Sequence, residues 1–410
     1  MINTTLCYIE KDGKYLMLHR VKKDKDINKG KWIGVGGKFE EGETADECVV
    51  REVFEETGLT LTDFKLVGVI HFYSDQNMDQ DMYLYKGTDF EGELVDECKE
   101  GILEWVYKEE VLNLPTWEGD HYFLKPLLDG KTNLNMTVKY ENDKLVEFID
   151  DTMPVVIEKS KLISSKHGFS TRMGGVSTGK FSTMNLSLQS EDMPQRVVEN
   201  YRRFFEALNI EERAFVSLDQ KYGRRVLVVG KRDARIPFKK GKILGADGMV
   251  TNQVNVPLVI FTDDSIPVLL EDSNASVIGA AHCNRKSVMA DIEANIIEKM
   301  VSLGAEISNI KVAIGPAIGE CCYENGKEIG KQADTLLTSD ASYFYANSHE
   351  DKIMLDLKGI VRERFLQLGI LSTNIDMNED CTKCNPEKYF SDRHNHGITG
   401  KMASVIVLEK

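Results

Sequence analysis

Residues 37–59, GKFEEGETADECVVREVFEETGL, constrain this chain more than any other segment. Glu52, Glu55 and Glu56 stand at positions i, i+3 and i+4, so a helix over residues 44–57 places three carboxylates on one face. Carboxylates that close repel each other unless a cation lies between them. Hard divalent ions such as Mg²⁺ prefer carboxylate oxygens together with substrate phosphates. The segment therefore predicts a helix that holds a divalent cation, and the alternative is a solvated acidic helix face.

The same segment resembles the Nudix box, G-x5-E-x7-R-E-U-x-E-E-x-G-U with U a bulky apolar residue, and every defined position matches. The resemblance implies an α/β/α sandwich with a mixed sheet that hydrolyses a nucleoside diphosphate linkage with Mg²⁺ or Mn²⁺. It implies a catalytic set of Arg51, Glu52, Glu55 and Glu56, with Glu43 supporting the loop. The implied metal ligands are the Gly37 carbonyl and the carboxylates Glu52, Glu55, Glu56 and Glu100. Three of these carboxylates are alternatives for the general base: Glu52, Glu55 and Glu100.

The strings around the box, GKWIGVGGKFEEGET and LPTWEGDHYFLKPLL, look like MutT-type hydrolases of oxidised purine nucleoside triphosphates. This likeness implies that Trp117 stacks on the base and that Asp120 hydrogen-bonds the base edge. The alternative is that Trp117 belongs to the core and that Asp120 caps a helix over 118–128. The remaining implied substrate-binding residues are Gly36, Lys38 and Lys23.

Two positions depart from the purine-specific pattern. Ile33 stands where those relatives carry an asparagine that contacts the base, and Gly119 replaces a second acidic residue. Pyrophosphohydrolysis is unaffected by these changes, but they leave ADP-ribose or a dinucleotide as an alternative substrate.

Length and charge divide the chain. A chain of 410 residues is longer than a domain with one hydrophobic core usually is. We therefore expect one domain over 1–150 and another over 151–410. Residues 1–150 hold 18 basic and 32 acidic side chains, a net charge of −14, whereas residues 151–410 have a net charge of −1. The acidic first domain argues against a nucleic acid polymer as partner and fits nucleotide substrates that arrive as magnesium complexes.

The eight cysteines show no disulfide-framework spacing, and no secretory signal is visible, which predicts reduced thiols in a cytoplasmic protein. No apolar run reaches the roughly 18–20 residues that span a bilayer, so no membrane partner is expected. Nothing in the sequence indicates an oligomeric state. A single CxxC, Cys381 and Cys384, is a weak zinc signal even with His394 and His396 nearby, so ordinary loop residues are favoured there. The Cys321–Cys322 pair is interpreted as packing.

Residues 154–410 resemble the YfiH family, whose members are zinc-dependent purine nucleoside phosphorylases and adenosine deaminases. The matching strings are HGFSTRMGGVS, STMNLSL, GADGMVT, AIGPAIGECCYE and YFSDRHNHGITGKMA. The resemblance implies a larger α/β domain whose zinc ligands would lie in the strings QKYG, TDDSIP and AHCNR. Tyr222 and Ser265 replace two of those ligands, and His282 remains. Because neutral hydroxyls are poor zinc donors, we predict that zinc catalysis is lost.

The second domain then keeps a set of candidate pocket residues. Cys283 is a substitute metal ligand only if it points the same way as its neighbour His282. The polar positions matching the family's motifs are Arg172, Asn185, Arg285 and Arg393, for each of which a structural ion pair is an equal alternative. The sequence thus predicts a Nudix pyrophosphohydrolase fused to a purine-nucleoside-binding domain. The rival is a bifunctional enzyme whose second domain remains an active phosphorylase or deaminase.

Apolar periodicity also predicts the elements that frame these sites. In the first domain it indicates strands near 3–9, 15–20, 65–73, 81–86, 102–106, 134–140 and 144–149. In the second it indicates strands near 215–218, 225–229, 257–261, 267–270 and 276–280, and helices near 194–208, 288–303 and 356–368.

Overall fold

The computed structural model describes residues 1–23, 26–238, 244–337, 342–346 and 351–409. The chain divides into two compact units, Met1–Pro154 and Val155–Lys410. Across the described residues, every helix is too short or too polar to cross a membrane.

The first unit is built on a mixed eight-stranded sheet with the order β3-β2-β1-β5-β4-β7-β8, and β6 pairs with β2. Its strands are β1 (Ile2–Lys11), β2 (Lys14–His19), β3 (Trp32–Ile33), β4 (Thr60–Ser74), β5 (Gln80–Glu91), β6 (Ile102–Tyr107), β7 (Leu134–Glu141) and β8 (Lys144–Asp150). Its helices are α1 (Ala45–Thr57), α2 (Lys108–Val111) and α3 (Asp120–Leu128). The pairs β1–β5 and β4–β7 are parallel, and the other pairs are antiparallel.

Helices cover both faces of this sheet. Leu6 and Tyr8 of β1 point to the face where α3 packs with Phe123 and Leu124. The opposite face carries α1, which contacts β1 and β4. Successive residues of a strand alternate between faces, so one strand supports both layers. The α/β fold class with helices on a mixed sheet is confirmed.

The second unit contains two six-stranded sheets, with the orders β13-β11-β15-β23-β10-β9 and β12-β14-β17-β16-β18-β22, and a small sheet β19-β21-β20. Its strands are β9 (Ile157–Glu158), β10 (Lys166–Ser170), β11 (Val216–Asp219), β12 (Val226–Val228), β13 (Leu244–Gly245), β14 (Gly248–Thr251), β15 (Leu258–Thr262), β16 (Ile266–Asp272), β17 (Val277–Cys283), β18 (Lys311–Ile314), β19 (Glu324–Gly326), β20 (Phe344–Ala346), β21 (Lys352–Leu355), β22 (Ile375–Met377) and β23 (Met402–Val407). Its helices are α4 (Pro194–Ala207), α5 (Arg285–Met289), α6 (Ile292–Ser302), α7 (Lys327–Leu336) and α8 (Leu357–Gln367).

The two large sheets of this unit pack face to face. Ile260 of β15 and Leu269 of β16 belong to the core between them. The outer face of the second sheet is covered by α5, α6, α7 and α8, and the outer face of the first by α4. In β17, Ile278 and Ala280 face the core between the sheets, whereas Cys283 faces the helices. This alternation decides which side chains of β17 can share a site.

One predicted helix differs from the structure. The periodicity predicts a single helix over 288–303, but the chain forms α5 and α6 with a break between them. Asp291 adopts a left-handed conformation with φ of 66° at the break. Apolar spacing continues across that residue, so the pattern alone does not reveal the interruption.

Candidate functional site

Helix α1 begins and ends where its sequence predicts. Thr44 is the N-cap of a capping box, in which its hydroxyl accepts from the Glu47 N–H at 3.2 Å and the Glu47 carboxylate accepts from the Thr44 N–H at 2.8 Å. Gly58 ends the helix in a left-handed conformation, with φ of 77°. Val49 and Val53 are fully buried. With the apolar stripe against the sheet, the acidic residues line the remaining helix surface.

Arg51 connects the acidic helix to the loop before it. Its guanidinium donates two hydrogen bonds to the Glu43 carboxylate, at 2.8 and 2.9 Å, and a third to Glu52 at 2.8 Å. It also donates to the Lys38 carbonyl at 3.0 Å, whereas the Lys38 side chain is exposed. Glu55 lies 3.5 Å from Arg51, and its side chain is 58% exposed. The planar fork of arginine therefore fixes Glu43 and Glu52 in one arrangement.

Two glycines let the loop approach the helix. The Gly36 N–H donates to Glu56 at 3.1 Å. A Cβ at Gly36 would lie 2.2 Å from the Thr5 carbonyl oxygen, so that position requires glycine, and a Cβ at Gly37 would displace the Glu52 carboxylate. The Gly37 carbonyl accepts from the Thr5 N–H at 2.8 Å, and the Cys48 thiol lies 3.9 Å from it.

Glu56 is the buried member of the acidic set, with a side chain 9% exposed. Burial raises its pKa to about 8, the neighbouring carboxylates Glu100 and Glu52 add to the rise, and the Gly36 N–H and Arg20 oppose it. The raised pKa shows that a negative charge on Glu56 is unfavourable beside two other carboxylates. A bound cation would offset this repulsion, so the group favours cation binding.

Glu100 joins this group from the loop before β6. It forms ion pairs with Lys23 and with Arg20, and the Arg20 guanidinium also lies 4.0 Å from Glu56 and 2.8 Å from Asp26. The structure thus brings the predicted residues Lys23, Glu56 and Glu100 together. Sequence analysis missed Arg20, because a single arginine at the end of a strand carries no pattern.

Trp117 and Asp120 lie at the start of α3. Trp117 is partly buried against the core of the unit, its indole N–H donates to Asn28 at 2.8 Å, and the Lys31 ammonium lies 5.1 Å from its ring centroid. Asp120 accepts from the Trp117 N–H at 3.2 Å. Burial raises the pKa of Asp120 to about 7, against the opposing effect of that N–H and of Lys31. Asp120 is therefore a carboxyl that changes its protonation state near neutral pH.

Gly119 directly precedes Asp120 in the chain, and the partly buried Ile33 packs against the same core as Trp117. The Gly119 N–H donates to the Tyr140 hydroxyl at 2.6 Å, and Tyr140 packs edge-on against Trp117 with a centroid distance of 5.5 Å. The two residues that depart from the purine-specific pattern therefore pack against apolar or aromatic side chains.

The second unit contains a cavity of about 390 Å³ that collects several of the predicted residues. Its lining includes Tyr222, Asp264, Ser265, Asn284, Tyr323 and Arg393. The two residues that replace zinc ligands therefore lie in one cavity. The guanidinium of Arg393 lies 5.4 Å from the centre of the Tyr323 ring, and its backbone N–H donates to Asp264 at 2.8 Å.

Asp247 organises the wall of this cavity, although sequence analysis did not single it out. Its carboxylate accepts from the three consecutive backbone N–H groups of Lys221, Tyr222 and Gly223, at 3.1, 3.0 and 2.8 Å. It also lies 3.0 Å from Nδ1 of His282. Burial alone would raise the pKa of Asp247, but His282 and these N–H donors hold it below its usual value.

His282 and Cys283 point in opposite directions. His282 lies near Tyr222, with ring centroids 5.7 Å apart, whereas Cys283 is fully buried in the apolar core beneath the helices. Burial raises the pKa of Cys283 far above its usual range. Tyr222, Ser265 and His282 then offer a phenol, a hydroxyl and a single imidazole. The Asp247 carboxylate beside His282 already accepts from three backbone N–H groups, so this set does not fit the zinc that the resemblance implies.

The remaining candidates hold the fold or border the cavity. Arg172 donates to the carbonyls of Ser182 and Pro386, and Asn185 bonds Ser190 and Asp192. Arg285 donates to Asn325 at 3.0 Å. Arg393 is thus the candidate arginine that lines the cavity.

Four cysteines meet in the same unit. The Sγ atoms of Cys321, Cys322, Cys381 and Cys384 lie within 4.8 Å of one another. Among the described residues, this is the one group of three or more His, Cys, Asp or Glu side chains whose donor atoms converge that closely. The sequence analysis treated the two pairs separately, because nothing in the sequence links them.

Comparisons with known proteins agree with the two units. The family model described as multi-copper polyphenol oxidoreductase laccase matches residues 166–409, and the NUDIX domain model matches residues 2–127. A curated relative, purine nucleoside phosphorylase YlmD of Geobacillus stearothermophilus, is 29% identical over 242 residues, which are 58% of this chain and 88% of that protein. Purine nucleoside phosphorylase of Deinococcus radiodurans is 34% identical over 246 residues, 60% of this chain and 89% of that protein.

Two solved structures are also similar to parts of this chain. The crystal structure of YlmD from Geobacillus stearothermophilus covers 63% of this chain and all of its own, at 26% identity and a TM-score of 0.58. A MutT protein from Bacillus halodurans covers 37% of this chain and 98% of its own, at 31% identity and a TM-score of 0.34. The chain therefore belongs to the multi-copper polyphenol oxidoreductase laccase family through residues 166–409, and it carries an N-terminal NUDIX domain over residues 2–127.

Proposed function

We propose that the first unit is a Mg²⁺-dependent pyrophosphohydrolase that converts a nucleoside triphosphate to a nucleoside monophosphate and pyrophosphate. The observation that carries this proposal is the acidic surface of α1. Glu56 is buried beside Glu52 and Glu100 and has a pKa raised to about 8. A protein keeps such an unfavourable cluster where a cation offsets it in the working state.

The donor set fits a hard divalent ion. Glu52, Glu55, Glu56 and Glu100 supply carboxylate oxygens, which Mg²⁺ and Mn²⁺ prefer. When bound, the ion would neutralise phosphate oxygens and polarise water. Arg51 holds Glu52 in place through its fork to Glu43. Arg20 and Lys23, which pair with Glu100, add positive charge that suits a polyphosphate chain.

An oxidised or otherwise non-standard purine is the proposed base. Trp117 offers an aromatic surface beside Asp120, whose raised pKa makes its protonated form abundant near pH 7. A neutral carboxyl donates a hydrogen bond to an acceptor on the base, whereas the ionised form accepts from a base N–H. This pairing favours a purine triphosphate over ADP-ribose or a dinucleotide.

Steady-state kinetics on the full chain test this assignment. The panel contains 8-oxo-dGTP, dGTP, dATP, dCTP, ADP-ribose and a dinucleotide, each with Mg²⁺ and with chelator. The proposal predicts the highest kcat/KM for a purine triphosphate and no turnover in chelator. A preference for ADP-ribose would refute the proposed base specificity, and turnover in chelator would refute the role of the metal.

For the second unit we propose a purine-nucleoside-binding module that lacks the family's zinc catalysis. Its relatives are named purine nucleoside phosphorylases, and the proposal is supported by a cavity lined by both Tyr222 and Ser265, the two residues that replace ligands implied by the resemblance. Tyr323 and Arg393 offer an aromatic ring and a guanidinium to a base or an anion. The rival is an active phosphorylase or deaminase built on His282.

Turnover of inosine and adenosine separates these alternatives. The binding-module proposal predicts that both nucleosides bind in calorimetry but are not converted, with or without phosphate and added zinc. Phosphate-dependent release of the base, lost in His282→Ala, would establish the rival.

A further inference from the structure

The four converging cysteines have the spacing of a metal site. Cys384 Sγ lies 3.6 Å from Cys321 Sγ and 3.4 Å from Cys322 Sγ. A tetrahedral ion with Zn–S bonds of about 2.3 Å places its sulfur atoms about 3.8 Å apart. A disulfide needs a sulfur separation of about 2.05 Å. Cys384 stands almost equally far from two partners, which matches shared ligation better than one covalent pair.

The two loops that carry these cysteines are held together by the backbone. Ala317 and Cys381 form a parallel bridge, and the Thr382 N–H donates to the Ala317 carbonyl at 3.1 Å. The Cys322 N–H donates to the Gly319 carbonyl at 3.0 Å. Main-chain contacts thus hold together the two loops that carry the thiols.

Gly319 contacts two of the four cysteines. Its N–H donates to Cys381 Sγ at 3.2 Å. A Cβ at Gly319 would lie 3.4 Å from Cys321 Sγ and 3.6 Å from Cys381 Sγ, so this residue packs directly against two of the thiols. Backbone N–H groups that point at a sulfur stabilise its thiolate form, which is the form that binds metal.

A buried cation lies beside the same loop. Lys358 is 5% exposed, and its ammonium donates to the carbonyls of Asn378 and Asp380 at 2.9 and 3.1 Å. Its charge also interacts with Cys381. Four thiolates around a divalent ion carry a net charge of −2, which a buried ammonium and N–H donors partly offset.

From these contacts we propose that Cys321, Cys322, Cys381 and Cys384 bind one structural zinc ion. All four positions of the tetrahedron are taken by protein thiolates, so the site is closed and does not bind substrate. It differs from the site that the YfiH resemblance implies, which involves Tyr222, Ser265 and His282.

The zinc ion joins two loops that form part of the cavity. Ile318 and Tyr323 flank the Cys321–Cys322 pair and line the cavity. Thr382, inside the CxxC, donates to Asp264 of the cavity at 2.6 Å. Zinc therefore stiffens one wall of the proposed nucleoside pocket.

The test uses the full chain purified under reducing conditions without chelator. Elemental analysis is expected to find about one zinc ion per chain, lost in Cys384→Ser and in Cys322→Ser but kept in Cys98→Ser, which alters a buried cysteine of the first unit. Cobalt reconstitution of the wild type provides a second measurement, independent of how the variants fold. Thiolate-to-cobalt charge transfer and intense tetrahedral d–d bands are expected, which a carboxylate cluster does not produce.

Three outcomes would overturn the proposal. The first is a wild-type chain with neither zinc nor thiolate–cobalt bands after reconstitution. The second is a Cys384→Ser chain that folds and keeps its zinc. The third is a disulfide within the group in intact-mass analysis of protein purified with and without reductant, or another metal bound there at full occupancy.

Discussion

Replacing Glu56 by glutamine tests the electrostatic argument for the first unit. The folded-state pKa of Glu56 is about 8, against a usual value of 4.5. The folded chain therefore binds the Glu56 proton more tightly than the unfolded chain does. The resulting loss of folding free energy is absent below pH 4.5, grows as the pH rises to about 8 and is constant above that pH. At pH 7 this cost is about 3 kcal/mol, with about 1.4 kcal/mol for each pH unit.

Glu56→Gln removes that cost and keeps an oxygen that accepts from the Gly36 N–H. In chelator at pH 7, we expect the thermal transition of the first unit to rise by about 6–12 °C, since about 1 kcal/mol corresponds to about 2–4 °C in a domain of this size. The difference in transition temperature between the variant and wild type should decrease toward pH 5. Hydrolysis should fall by about 100-fold or more, because a metal ligand is lost.

Differential scanning calorimetry and a pyrophosphate-release assay measure the two effects. Glu55→Gln is the matched variant: its side chain is 58% exposed, so we expect lost activity with an unchanged transition. Glu110→Gln, exposed on α2, should change neither. A Glu56→Gln chain that is less stable than wild type in chelator would refute the electrostatic reasoning. Normal turnover in that variant would refute the metal assignment.

Three further predictions address the other residues. Because the pKa of Asp120 is raised to about 7, its donating form is lost as pH rises, so KM for the preferred purine triphosphate should increase between pH 6 and 8.5. Asp120→Asn should flatten this profile, and a wild-type KM that is independent of pH would contradict the role. A lysine in Arg51→Lys cannot form both hydrogen bonds to Glu43, so kcat/KM should fall about 10–100-fold and the half-saturating Mg²⁺ concentration should rise. Circular dichroism checks that the variant folds, and an unchanged magnesium dependence would contradict the positioning role of Arg51. The double variant Tyr222→His with Ser265→Cys should bind one zinc ion more than wild type in elemental analysis, and equal zinc contents would show that side-chain identity is not what excludes the metal.

Local sequence chemistry made helix α1 predictable. The capping box at Thr44 and the glycine at position 58 fixed the ends of α1, and residue spacing gave its acidic surface. Arg20 was missed because its contacts with Glu56 and Glu100 come from chain segments that only the fold brings together. Spacing along one helix is visible in a sequence, whereas proximity between loops is not.

In the second unit, contacts between distant chain segments were even harder to predict from the sequence. Cys384 meets Cys321 and Cys322 across sequence separations of 63 and 62 positions, so two pairs that look unrelated form one group. Asp247 likewise reaches three N–H groups of the 221–223 loop and His282 through the sheet. The opposite directions of His282 and Cys283 followed from strand alternation and were anticipated.

We propose that the acidic surface of α1 binds a divalent ion and that the first unit thereby hydrolyses nucleoside triphosphates. Phosphorus NMR of the reaction products tests it most directly, with 8-oxo-dGTP, Mg²⁺ and either wild type or Glu56→Gln. We expect a nucleoside monophosphate and pyrophosphate from wild type and unchanged triphosphate from the variant. Inorganic phosphate with a nucleoside diphosphate, or equal product from both proteins, would contradict it.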